Sequence, residues 1–211
     1  TQGVSSAASD VYKRQIDGKG KDIDTEIYNS IIFVRAGAIE TLSSQSMVSS
    51  LQDIGFLVVN DLDSMLVCDN KMSNALMMER NNIPIPKTSI VSNKKSIEDA
   101  HIRVGGKFPV IVKTLRGTQG VGIMKVDSMS SLVSVCQGLW KYEADLLLQE
   151  YKEMSSDIRT LVIGGKILAS AERTRDKDNK DFRNNVHQGA RTDTYNLSKK
   201  EMAVIKAAAR A

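Results

Sequence analysis

The stretch "KTLRGTQGVGIMKV" (residues 113–126) sets Lys113 at the end of an apolar run, follows it with Gly117, Gly120 and Gly122, and resumes as a second strand-like run. A strand ending in lysine delivers an ammonium group at a fixed place. A glycine loop offers backbone N–H groups unhindered by side chains, which suits polyphosphate oxygens. The spacing is not GxxxxGK[ST], and no helix follows the glycines as a dinucleotide-binding fingerprint requires. Two readings stay open on this stretch: a plain hairpin tip, or a glycine-rich flap between antiparallel strands that closes over phosphates and excludes water.

The whole chain sets the frame for that choice. With 211 residues, 41% hydrophobic, 26% charged and 3 prolines, the composition is that of a globular protein of one or two domains with enough chain for a real core. No window approaches the length of apolar run that crosses a membrane, and the N-terminus lacks the apolar centre of a secretory signal, so a cytoplasmic protein is expected. Cys68 and Cys136 lie outside any CxxC spacing, with only His101 and His187 as imidazole partners. Neither zinc nor a disulfide framework is suggested, and both cysteines are expected to be half-buried packing residues. The net charge of +4 is modest and its basic residues are spread, which fits a small anionic ligand as well as nucleic acid.

Outward from the loop the elements alternate. "YNSIIFVRA" (28–36) reads as a buried strand, Thr41 to Asp53 as a helix stopped at Gly55, and "FLVVN" (56–60) as a second strand, together a parallel βαβ unit. A helical pattern from Cys68 to Asn81 ends before Pro84 and Pro86. Then come "KTSIVS" (strand), "SIEDAHIRVG" (helix), "KFPVIVKTL" (strand), the glycine loop, "VGIMKV" (strand), "SMSSLVSVCQGLW" (helix) and "ADLLLQEY" (strand). "DIRTLVIGGKILASAERT" reads as a hairpin turning at Gly164 and Gly165, and Ser198 as the N-cap of a helix. Residues 1–15, "TQGVSSAASDVYKRQ", have no hydrophobic period and resemble translated adapter sequence, a non-native or disordered leader. The chain is expected to be truncated at both ends.

Three further clusters carry hydrogen-bonding heads. Gln149, Glu150 and Tyr151 stand where a buried strand runs out into a turn, a position that can present backbone groups to the edge of an adenine or simply end a strand. In the hairpin, Asp157, Arg159 and Arg173 alternate with apolar residues and so share one face. That face is either solvated or a binder of carboxylate or phosphate. "DFRNNVHQGA" gathers Arg183, Asn184, Asn185, His187 and Gln188 with little apolar content to explain them.

In this order, the lysine strand, "GTQGVG" flap, "QEY" hinge, "SDIR…VIGGK" hairpin and "FRNNVHQGA" resemble the ATP-grasp fold, and within it the RimK-like amino-acid ligases, over residues 28–211. The resemblance implies an α/β (α+β ATP-grasp) architecture: a partial N-terminal βαβ domain followed by an incomplete two-subdomain ATP-grasp domain. The expected divisions are the leader 1–15, a pre-ATP-grasp remnant with linker helix over 16–83, the small subdomain with its flap over 84–153, and the start of the large subdomain over 154–211. It further implies an ATP-dependent carboxylate–amine ligase working through an acyl phosphate and adding glutamate to a protein C-terminus or small acceptor.

By the same resemblance Lys113 and Lys71 approach the phosphates, with Gly117, Thr118, Gln119 and Gly120 as the flap. Gln149, Glu150 and Tyr151 form the hinge that holds adenine, and Asp157 meets the ribose. Arg183, Asn184 and Asn185 match the triplet "R-S-N" along the phosphates, with Asn184 in place of serine. Arg183 and Lys113 are the expected charge-stabilising catalytic pair, and Arg159 and Arg173 are further candidates for substrate carboxylate or phosphate. Magnesium is implied, but the family's acidic ligands match nothing in residues 1–211, so no metal ligand is assigned, the ligands are expected downstream of residue 211, and this stretch by itself is expected to be inactive.

The implied partners are ATP, glutamate and an acceptor such as a ribosomal protein; a homo-oligomer is compatible, whereas membrane and direct nucleic-acid binding are not expected. Two other readings remain. One is a glutathione-synthetase-like or D-alanine-ligase-like enzyme making a small peptide. The other is a non-catalytic nucleotide- or RNA-associated module, which a pI near 9.0 permits but an aromatic content of 5% without a basic aromatic patch does not favour.

Overall fold

A computed structural model describes residues 30–35, 39–117, 121–175 and 191–211, which fall into two compact units dividing between Asp69 and Asn70. In the first, strands β1 (Ile31–Phe33) and β2 (Leu57–Val59) run parallel and are joined through helix α1 (Leu42–Ile54), as the sequence led us to expect. Helix α1 starts because the Thr41 hydroxyl accepts the Ser44 N–H at 3.2 Å, and it stops at Gly55. Helix α2 (Leu62–Asp69) starts at Asp61, whose carboxylate accepts the Ser64 N–H at 2.9 Å. The hydrogen bonds from Ser64 hold that carboxyl below the usual aspartate range. Val48 and Leu51 of α1 meet Val58 and Met65 in a small core.

Two expectations fail in this unit and at its boundary. β1 is not a buried strand: Ile31 is 54% and Phe33 73% exposed, because among the described residues β1 pairs with β2 alone and strand alternation turns Ile32 toward the core. The single helix expected over 68–81 is two, α2 and α3 (Lys71–Arg80). Asn70 takes an extended conformation between them, its side chain accepting the N–H groups of Met72 and Ser73, so a new cap replaces a continuous helix.

The second unit is built on an antiparallel sheet of β3 (Thr88–Val91), β4 (Val110–Thr114), β5 (Ile123–Val126) and β6 (Leu146–Glu150), in the order β3-β6-β4-β5. Helices α4 (Ser96–Arg103) and α5 (Met129–Trp140) cover one face. There Ile97, Ala100, Leu132 and Cys136 pack against Val110, Val112, Val126, Leu146 and Leu148. Leu146, Leu147 and Leu148 are each at most 1% exposed, so the run "LLL" is buried on both faces of a central strand. Each such leucine contributes about 1.5–3 kcal/mol relative to an exposed one. Cys136 is not half-buried but fully buried, one helical turn beyond Leu132, and burial pushes its thiol up to about 11; Cys68 is exposed. His101, the imidazole considered as a metal partner, lies in α4 with its ring stacked 4.3 Å from that of Phe108.

A three-stranded antiparallel sheet follows, β7 (Ser156–Ile163), β8 (Lys166–Thr174) and β9 (Arg191–Thr194). The β7–β8 turn is the expected glycine pair: Gly164 (φ 55°) and Gly165 (φ 73°) both take the left-handed conformation that two-residue hairpin turns demand. Helix α6 (Lys199–Ala208) begins at the expected Ser198, in a capping box with Glu201. Strand β9 has no apolar period, and nothing in its four residues announced it. Among the described residues no helix is long and apolar enough to cross a membrane.

Candidate functional site

Lys113 is the second-last residue of β4, and alternation turns it away from the face that Val110 and Val112 bury against the helices. Its ammonium donates to Gln149 Oε1 at 2.6 Å. Burial, and then the nearby ammonium of Lys71, hold Lys113 below the usual lysine range. A half-buried cation with one neutral acceptor and a like-charged neighbour is arranged to receive an anion.

Lys71 reaches the same place from helix α3. Its backbone N–H donates to the Leu115 carbonyl at 3.0 Å, and its ammonium to the Gly117 carbonyl at 3.0 Å. The first residue of the helix thus clamps the opening of the glycine loop. Asn70 fixes this residue by capping α3, so Asn70→Ala is expected to cost about 1 kcal/mol and lower Tm by roughly 2–4 °C, whereas Asn70→Asp keeps the cap. Thermal unfolding of the two variants checks this.

The base of the loop closes where the Thr114 N–H donates to the Gly122 carbonyl at 3.0 Å and the Thr114 hydroxyl donates to the Arg116 carbonyl at 2.7 Å. Gly122 has φ 73°, and a Cβ there would run into the Thr114 side chain. Gly117 (φ 119°) begins the loop. Thr118, Gln119 and Gly120 lie outside the described residues.

At the strand exit, Gln149 bridges two strands: besides accepting from Lys113 it donates through Nε2 to Thr88 Oγ1 at 2.9 Å. The Glu150 carboxylate accepts the Lys87 N–H at 2.9 Å and pairs with Lys152 at 2.9 Å. The Lys87 hydrogen bond, then Lys152, hold its carboxyl below the usual glutamate range. Tyr151 carries the Lys125 ammonium 4.6 Å from its ring centroid. Lys125 and Thr88 were missed in the sequence, since only the strand register, which no local period encodes, brings them to this face.

On the second sheet Asp157, Arg159 and Arg173 do share one face, because a register shift between Leu161 and Val162 moves the pairing by one residue from the one that the Gly164–Gly165 turn starts. Asp157 stands opposite Arg173, and Arg173 Nε donates to its Oδ1 at 2.7 Å, while Arg159 is exposed. Two residues given separate roles by resemblance are therefore partners across a strand pair. Arg183, Asn184, Asn185 and His187 lie outside the described residues. Among the described residues no three His, Cys, Asp or Glu side chains come together to hold a metal ion, and no magnesium ligand is assigned to them.

A lysine-ended strand, a glycine loop clamped by a helix-borne lysine and a short antiparallel sheet backed by two helices are thus one assembly. The family model that matches residues 68–211 is the RimK-like ATP-grasp domain. The chain belongs to the RimK-like ATP-grasp family. It is 30% identical over 201 residues to the "Probable alpha-L-glutamate ligase" of Methanococcoides burtonii, covering 94% of this chain and 65% of that protein. The protein of the same name from Legionella pneumophila (strain Corby) is 34% identical over 181 residues, covering 85% of this chain and 59% of that one. The RimK-like chain therefore spans less than two thirds of the length of these curated relatives. Among solved structures, D-alanyl-alanine synthetase A from Vibrio cholerae superposes with a TM-score of 0.61 at 18% identity, covering 79% of this chain and 54% of that one, a likeness of fold.

Proposed function

We propose that the complete protein is an ATP-dependent carboxylate–amine ligase that adds glutamate to an acceptor, a protein C-terminus such as that of a ribosomal protein, through an acyl phosphate. The observation that carries this reading is the meeting of two ammonium groups, Lys71 and Lys113, at the opening of the glycine loop. The names of the related ligases support the substrate. Residues 84–153 then act as the small subdomain and residues 154–211 as the start of the large one.

The chemistry follows from the weakness of a carboxylate as an acyl donor. A carboxylate oxygen attacks the γ-phosphorus of ATP and the bond to ADP breaks. The amine nitrogen next attacks the acyl carbon, phosphate leaves, and a proton is lost from the nitrogen to give the amide. Lys113 and Lys71 hold the polyphosphate and balance the charge that gathers on the transferred group. Arg183 adds a third cation, with Asn184 and Asn185 beside it. Backbone atoms of Glu150 and Tyr151 hold the adenine and Asp157 the ribose, with Arg159 and Arg173 offered to substrate carboxylate or phosphate. The flap, Gly117 to Gly120, keeps water from the acyl phosphate.

The test uses the complete natural protein with ATP, magnesium and each amino acid in turn, following ADP release and the intact mass of candidate acceptors. Glutamate-dependent ADP release with mass steps of one glutamyl unit is the expected result. ATP binding without stimulation by any amino acid removes the ligase reading.

A further inference from the structure

We propose that Thr88 is a positioning residue for Lys113, acting through the side chain of Gln149; the claim rests on Lys113 being a nucleotide lysine, as proposed above. The three residues come from three strands. Thr88 stands opposite Gln149 in the β3–β6 pair, and Lys113 stands opposite Leu147 in the β4–β6 pair, a diagonal neighbour of Gln149 on the same face.

Each hydrogen bond in the chain has a fixed direction. The Lys113 ammonium can only donate, so it takes Gln149 Oε1, at 2.6 Å. That leaves Gln149 Nε2, which can only donate, facing Thr88 Oγ1 at 2.9 Å. The hydroxyl must therefore accept there, and it does so because its own proton goes to the Pro86 carbonyl at 2.8 Å. The Pro86 carbonyl thus decides, through one hydroxyl, which end of the Gln149 amide meets the cation. All three side chains are half-buried, where water replaces a lost partner poorly. Without the hydroxyl the amide can rotate, and its reversed orientation sets an NH₂ group against an ammonium.

The experiment is a double-mutant cycle in the complete natural protein, read as ATP affinity by titration calorimetry and, without nucleotide, as the titration of Lys113 followed by NMR at its side-chain carbon next to nitrogen. Thr88→Val, which keeps the shape and loses the acceptor, is expected to weaken ATP binding roughly three- to tenfold, the equivalent of about one hydrogen bond. It is also expected to move the Lys113 titration to lower pH, because the charged form loses its acceptor while Lys71 stays beside it. Thr88→Ser restores both readouts. In a Lys113→Ala background Thr88→Val has no further effect on ATP affinity. An equal loss in that background, or no rescue by serine, overturns the positioning role and leaves the nucleotide reading intact. Where ATP does not bind the unaltered protein the ligase reading fails, and the Lys113 titration still decides the positioning claim: unmoved by Thr88→Val, it overturns it.

Discussion

Lys113→Ala in the complete natural protein is expected to lower kcat/KM for ATP by about 10²–10³-fold, the scale of losing one preorganised charge-stabilising donor. The effect should be large because the ammonium is held in place by Gln149 at 2.6 Å and is partly desolvated by burial. The same burial gives the pH dependence its sign. Burial first and Lys71 second lower the Lys113 pKa, so its charge is lost at lower pH than that of an ordinary lysine. Bound phosphates restore the charged form, so the alkaline limb of kcat/KM, which reports the free enzyme, lies below that of kcat, which reports the complex.

Stability moves the other way. With the folded pKa lowered, the unfolded chain binds more protons between the folded and unfolded values, so this group adds stability as pH rises through that window and subtracts it below. Lys113→Met is accordingly expected to leave Tm unchanged or raised at neutral pH while activity collapses. A pH–rate profile together with thermal unfolding of the two variants checks both claims, and a marked fall in Tm for Lys113→Met would sink the second.

Gly122→Ala is expected to have the largest effect on stability. The left-handed backbone at φ 73° costs an alanine about 1–2 kcal/mol, and a Cβ forced into the Thr114 side chain adds about 1–3 kcal/mol of overpacking. Together they lower Tm by roughly 5–15 °C. Gly122 accepts the Thr114 N–H that closes the loop base, so the variant should also weaken ATP binding. The double variant Thr114→Ala/Gly122→Ala, compared with Thr114→Ala alone because that change also loses the hydrogen bond to the Arg116 carbonyl, separates the two contributions, recovering most of the steric part and not the backbone part. A fall in Tm from Gly122→Ala that is as large in the Thr114→Ala background as in the unaltered protein would show that the collision is not what destabilises the loop.

The glycine loop was legible in the sequence as a turn, and its reading as a phosphate flap rested on resemblance. Three glycines between two apolar runs announce a turn wherever they occur, whereas the clamp that Lys71 places on the loop's opening shows only in the structure. That residue stands on a helix start, and the helix was itself misread as continuous because Asn70 suits a helix interior poorly but does not forbid one. The cap becomes visible only once Met72 and Ser73 turn their N–H groups toward it.

Asp157, Arg159 and Arg173 share one face as expected, but the structural cause is a register shift between Leu161 and Val162, which sets Asp157 opposite Arg173 and which no local pattern announces. Counted from the Gly164–Gly165 turn without that shift, Asp157 would stand opposite Glu172 and Arg173 would lie on the other face. By contrast, β1 read as buried because an apolar run says which residues prefer to leave water and not how many faces the rest of the fold will cover.

By itself the sequence determined most of the elements and their order, the helix stop at Gly55, the cap at Ser198 and the turn at Gly164 and Gly165, because these follow from hydrogen bonds and periodicities a few residues long. Only the tertiary structure decided that Thr88 and Gln149, 61 residues apart, meet, and that Lys113 lies diagonally across from Gln149. Strand order is a contest between long-range pairings, settled by how the leucines of β6 and the valines of β4 bury together against α4 and α5, and no local pattern carries its outcome.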